Sequence, residues 1–129
     1  MNSPTPGYIA PNRAALFGGS NAATLVGGSY YGFNSCVRFW NGSSWSEGPN
    51  KNMTGGDGSA GGTQNAGITY GGYCSGAVCF AGNQSSCSEI YNGTSWIMGP
   101  NLIVAAHNMA GGGNDADTAI TAGGRGYYG

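Results

Sequence analysis

A chain of 129 residues is long enough for one domain with a modest hydrophobic core. Charged residues make up only 7% of it and the formal net charge is −1, so there is no basic patch to neutralise phosphates and nucleic acid is excluded as an expected partner. Gly accounts for 27 residues, yet aromatics reach 12% and the apolar residues fall in short bursts, a pattern that opposes disorder and points to short strands punctuated by glycine.

No apolar run approaches a membrane span. The start, Met-Asn-Ser-Pro-Thr-Pro-Gly-Tyr, has neither the basic nor the apolar region of a secretory signal. Residues 1–6 read as an N-terminal arm. Residues 7–10 form a short strand, Pro11-Asn12 a turn, and Ala14 to Phe17 a strand that ends at Gly18-Gly19. A loop containing Thr24, Leu25 and Val26 follows. Cys36 to Trp40 then alternates as a strand does, with Cys36, Arg38 and Trp40 on one face and Val37 and Phe39 on the other. Asn41-Gly42 is a hairpin signal, Ser44 to Ser46 the return strand, and Gly48-Pro49 its stop.

The next stretch repeats this order. Residues 53–62 are Gly-rich, Ala66 to Tyr70 is a strand ending at Gly71-Gly72, and a loop spans 73–86. Cys87 to Tyr91 is a strand, Asn92-Gly93 the turn, and Ser95 to Met98 the return. The segments 40–50 and 91–101 share aromatic-Asn-Gly-Ser/Thr-Ser-Trp and then Gly-Pro-Asn, 51 residues apart. A third unit opens at Ala106, turns at Gly113 to Asp115, and continues as a strand from Thr118 to Ala122 that closes at Gly123-Gly124. No stretch carries helical periodicity free of Gly or Pro. The expected fold is all-β: an arm (1–6), one four-stranded unit (7–52), a second (53–103), and a half unit with a Tyr-rich tail (104–129).

The Gly-Gly pairs 18–19, 71–72 and 123–124, together with Trp40…Trp45 and Tyr91…Trp96, resemble the kelch repeat. The resemblance covers nearly all of the chain after residue 6 and is to the low-charge, Gly-rich variety found in bacteriophage and bacterial surface proteins. It implies propeller blades, with Trp45 and Trp96 wedged between neighbours and Tyr91 beside them. The links between units depart from the family, which often carries Arg there; this chain has Asn52-Met53-Thr54 and Ala105-Ala106-His107.

Physical reasoning reaches a similar expectation. Short four-stranded sheets bury their faces only by stacking, which would cover Trp45, Trp96, Phe17, Ile68, Tyr70 and Ile120. Glycine would let the innermost strands crowd near an axis. Two and a half units cannot close a ring, so unpaired edges and apolar end faces are expected to drive self-association.

The chemistry-bearing residues are sparse. Cys74, Cys79 and Cys87 lack zinc spacing; one disulfide within the loop 73–87 is expected, Cys74–Cys79 or Cys79–Cys87, unless Cys36 and Cys87 are simply small buried side chains. Asn114-Asp115-Ala116-Asp117 reads as a turn rather than a calcium loop. His107 stands alone, without a paired carboxylate or a nucleophile elbow, and reads as structural. Of the sequons at Asn41, Asn52, Asn83 and Asn92, two are the hairpin turns themselves. Tyr30, Tyr31, Tyr73, Tyr127 and Tyr128 fall in loops or the tail, where tyrosine serves recognition surfaces or subunit joints. No catalytic, metal or cofactor residues are expected.

The resulting expectation is a non-enzymatic structural or binding protein on a virion or other extracellular surface, of tail-fibre, capsid-decoration or adhesin type. It would associate with itself and with other surface proteins, and host glycan or protein is its expected ligand class. A propeller enzyme of oxidase or sugar-processing type, which would need metal ligands or paired acids, and an intracellular kelch adaptor, which would need a partner domain, are the alternatives.

Overall fold

The structure, a computed structural model, describes residues 13–28, 34–56, 58–73, 80–81 and 84–126. It is all-β, and every pairing among its strands is antiparallel. Strands β1 (Ala15–Gly19), β2 (Ala22–Val26), β3 (Val37–Trp40) and β4 (Trp45–Glu47) form a first sheet in the order β1-β2-β3-β4. Strands β5 (Ser59–Thr63) and β6 (Ala66–Tyr70) join β9 (Ser88–Tyr91) and β10 (Trp96–Met98) in a second, in the order β10-β9-β6-β5. Between β6 and β9 the chain makes a small ribbon, β7 (Phe80–Ala81) with β8 (Gln84–Ser85). A last hairpin pairs β11 (Ala106–Gly112) with β12 (Ile120–Gly126). Among the described residues no sheet closes on itself.

The two four-stranded sheets repeat one another bond for bond. Gly48 N–H donates to Val37 O as Gly99 does to Ser88 O, Lys51 N–H to Ser35 O as Leu102 does to Ser86 O, and Gly27 N–H to Cys36 O as Gly71 does to Cys87 O. The hairpin turns match as well. Asn41 Oδ1 accepts the N–H groups of Ser43 and Ser44, both at 2.9 Å, and Asn92 Oδ1 accepts those of Thr94 and Ser95 at the same distances. A side chain that satisfies two turn donors makes this a four-residue loop, so the return strands begin at the tryptophans.

Several sequence-based expectations are corrected. The apolar run at Thr24 to Val26 is strand β2, not a loop. The Gly-rich segment before Thr63 contains strand β5, and the last strand runs through Gly123-Gly124 to Gly126. The counterpart of Gly71-Gly72 is Gly27-Gly28 rather than Gly18-Gly19. Gly27 and Gly28 have φ of 64° and 104°, Gly71 and Gly72 65° and 95°, and Gly123 and Gly124 75° and 94°. After β2 and after β6 this left-handed double step, open to glycine, turns the chain out of the strand, whereas at Gly123-Gly124 it falls within β12. Gly18 instead matches Gly62, both at φ 106° where the first strand turns into the second. The expected strand at 7–10 lies outside the described residues.

The sheets pack face to face. On the rear of the first sheet, Ala15, Phe17, Val26, Val37 and Phe39 meet Ala60, Tyr91 and Trp96 on the front of the second. Phe17 lies edge-on to Trp96 with centroids 6.5 Å apart, and Phe39 lies 5.7 Å from Tyr91. The Phe17 ring occupies the space a Cβ on Gly67 would need. Beyond the second sheet the hairpin continues the stack, because β5 runs alongside β1 on one side and β11 on the other. A Cβ on Gly61 would stand 2.7 Å from the backbone of Gly112, so backbone meets backbone there. Gly62 N–H to Gly113 O, Gly72 N–H to Ala106 O, and the Tyr70 hydroxyl to Ile120 O tie the hairpin down.

Candidate interaction surfaces

The joint between the sheets is scaffold. Trp96 is buried, and its indole N–H donates to Pro49 O at 3.0 Å, in the link that leaves the first sheet. Glu89 is 2% exposed and holds the same link. Its carboxylate oxygens accept the N–H groups of Asn52 at 2.7 Å and Met53 at 3.2 Å, with the Lys51 ammonium 3.6 Å away. Gln64, on the β5–β6 turn, reaches back to donate to Ala23 O and Trp40 O at 2.9 and 3.0 Å. Neither Glu89 nor Gln64 is given a role by the sequence alone. The signal for Glu89 was its position, since it stands where the first unit has Arg38.

A narrow cleft beside the joint is lined by Arg13, Lys51, Thr69, Tyr70 and Glu89. Its acid is committed to backbone donors, which leaves it poorly suited to act as a general base. Among the described residues no three His, Cys, Asp or Glu side chains gather as metal ligands do. His107 is buried and stacks on Tyr73 at 4.1 Å, so Tyr73 is half-buried packing rather than the exposed recognition residue expected. Asp115 closes its turn by accepting from Thr118 N–H and Oγ1–H, both at 2.8 Å, and these bonds hold its carboxyl below the ordinary aspartate range. Cys87 is disulfide-bonded and Cys36 is free, so the two equivalent strand positions are not a matched pair of buried thiols. Cys74 and Cys79 lie outside the described residues, as do Tyr30, Tyr31, Tyr127 and Tyr128.

Among the described residues the open apolar surfaces include the two ends of the stack, besides Ile103 and Val104 in the link after β10. On the front of the first sheet, strand register places Leu16, Leu25, Arg38, Trp40 and Trp45 side by side. Trp40 and Trp45 stand 5.4 Å apart at 44°, close to the 5.2 Å and 40° of Tyr91 and Trp96. Whereas Trp96 is covered by Phe17, Trp45 is only half-buried and Leu16 is 60% exposed. The expected burial of Trp45 between sheets therefore fails among the described residues, because no sheet lies in front of it. At the other end Ile120 is 68% exposed, also contrary to expectation, and on the outer strands beyond the hairpin's reach Ile97 is 48% exposed. No helix among the described residues is long and apolar enough to cross a membrane.

No protein-family model matches the chain, and no curated protein matches it.

Proposed function

We propose that this chain is a non-enzymatic structural and binding protein built from kelch-like propeller blades, which completes its stack by association and works on the outside of a virion or cell. The observation that carries the reading is the repeated four-stranded sheet, stacked face to face with its innermost strand against that of the next unit, whose two end faces keep apolar side chains in water. A repeat that buries its faces only through neighbours needs a neighbour at each end, and apolar end patches of this kind mark interaction sites. The low charge content suits a surface that packs against other proteins. Host glycan or protein is the ligand class the proposal assigns, with Tyr30, Tyr31, Tyr127 and Tyr128 as its recognition residues. Electron microscopy of the purified protein tests the assembly: ring-shaped particles with radially arranged sheets are expected, and a population of compact monomers at micromolar concentration would overturn it.

A further inference from the structure

We infer that the front face of the first sheet is the docking site for a second copy of this chain, which seats the rear face of its β11–β12 hairpin there, head to tail. The inference rests on the proposed assembly and names the joint that makes it.

The occupant follows from the joint already present within the chain. There, a Tyr-Trp pair on the front of one sheet receives the rear of the unit before it, and an aromatic ring settles over a glycine. The front of the first sheet offers the equivalent pair, Trp40 and Trp45, in nearly the same geometry, with no described sheet before it. The last described unit of the stack is the hairpin. Its register puts Ile120 opposite Gly112 and Ala122 opposite Ala110, so the rear is one exposed apolar side chain among small ones. In the internal joint the bulk comes from both sides. Here large front-face rings meet a small-residue rear face, a complementary knob and hollow. Trp45 also has an indole N–H with no acceptor among the described residues, while its counterpart Trp96 donates across the joint to a carbonyl of the preceding unit. Because the two faces differ, the contact is heterologous: each single joint leaves one front and one rear face free, so association propagates until a ring closes.

Complementation tests this. Leu16→Glu disables the front face and Ile120→Glu the rear, and both side chains are exposed, so circular dichroism should show both variants folded. In sedimentation velocity the parent chain is expected to associate. Each variant alone should fall to monomer, with self-association weakened at least about tenfold by a charge placed in an apolar joint. A one-to-one mixture should recover a dimer and nothing larger, made from the intact rear of the first and the intact front of the second. Trp45→Ala and Ala122→Glu repeat the experiment with different side chains should either first variant misfold. If the parent chain associates but the mixture stays monomeric, or a single variant still self-associates, the head-to-tail joint is wrong while the assembly stands. If the parent chain is itself monomeric across the micromolar range, the proposed assembly falls and this joint with it.

Discussion

Trp45 and Trp96 occupy the same place in the repeat and differ only in what covers them, which makes them a controlled pair. Trp96 fills a joint between Phe17 and Tyr91 and gives its N–H to Pro49 O. Trp96→Ala should therefore cost about 3–5 kcal/mol, the usual loss for a large core aromatic. Trp45→Ala in the isolated chain should cost about 1 kcal/mol, because its ring is only partly buried there. Urea unfolding of both variants at low protein concentration checks the contrast; equal losses would mean that burial does not set the difference. Glu89 offers a second residue-scale test. Its two oxygens satisfy the backbone donors of Asn52 and Met53, which lie outside the strands, and Lys51 offsets part of its burial. Glu89→Gln keeps the shape but loses the charge and one acceptor. It should destabilise by about 1.5–3 kcal/mol, the range for hydrogen bonds to a charged group. Hydrogen exchange should show faster amide exchange at Asn52 and Met53, and unchanged protection at those two positions would overturn the clamp.

At the scale of elements, the hairpin is the least secured part of the stack, since it has one covered face and two strands. Its side-chain tether is the Tyr70 hydroxyl, which donates to Ile120 O at 3.2 Å. Burial raises the Tyr70 pKa above its ordinary value. A raised folded-state pKa means the folded chain keeps the proton where the unfolded chain releases it, so the contribution is full below the ordinary tyrosine range and is lost as pH rises through the folded value. Stability should thus decline as pH climbs above the ordinary tyrosine range, and Tyr70→Phe should flatten that decline. Equilibrium unfolding against pH measures both, and an identical slope in the variant would rule the tether out. The elements also show what the sequence could convey. The alternation in β3, with Val37 and Phe39 opposed to Arg38 and Trp40, and the Asn-Gly turns are local signals, and both were legible. Strand β5, Ser-Ala-Gly-Gly-Thr, has almost no intrinsic strand preference; its conformation comes from its ladder with β6 and from β1 and β11 packed on either face, so no local pattern announces it. Strand β2 is hidden because two Gly-Gly pairs, 18–19 and 27–28, lie close together and the first reads as the one that ends the unit's second strand. Exposure of Trp45 was illegible for another reason: it depends on a neighbour that the repeat implies and the described chain does not contain.

For the whole molecule, the composition and the end faces together dictate what kind of force would hold copies together. With four Lys and Arg and five Asp and Glu in the chain, long-range steering is weak. The proposed joint sets Leu16, Trp40 and Trp45 against Ile120 and small residues, leaving Arg38 and Glu47 as the nearby charges on the front. Those two are directly opposed across β3 and β4, so they compensate one another within the sheet before any partner arrives. An apolar joint of this sort responds to salt in the opposite sense to an ionic one. Screening removes attraction between charges, whereas solutes excluded from the protein surface favour apolar burial. Raising sodium chloride from about 0.05 M to about 1 M should leave the self-association constant within about threefold, with any drift toward tighter binding. A joint built on ion pairs would weaken steadily over that range. Sedimentation equilibrium at several salt concentrations separates the two: progressive dissociation would show that charged residues, not the tryptophan pair, carry the contact.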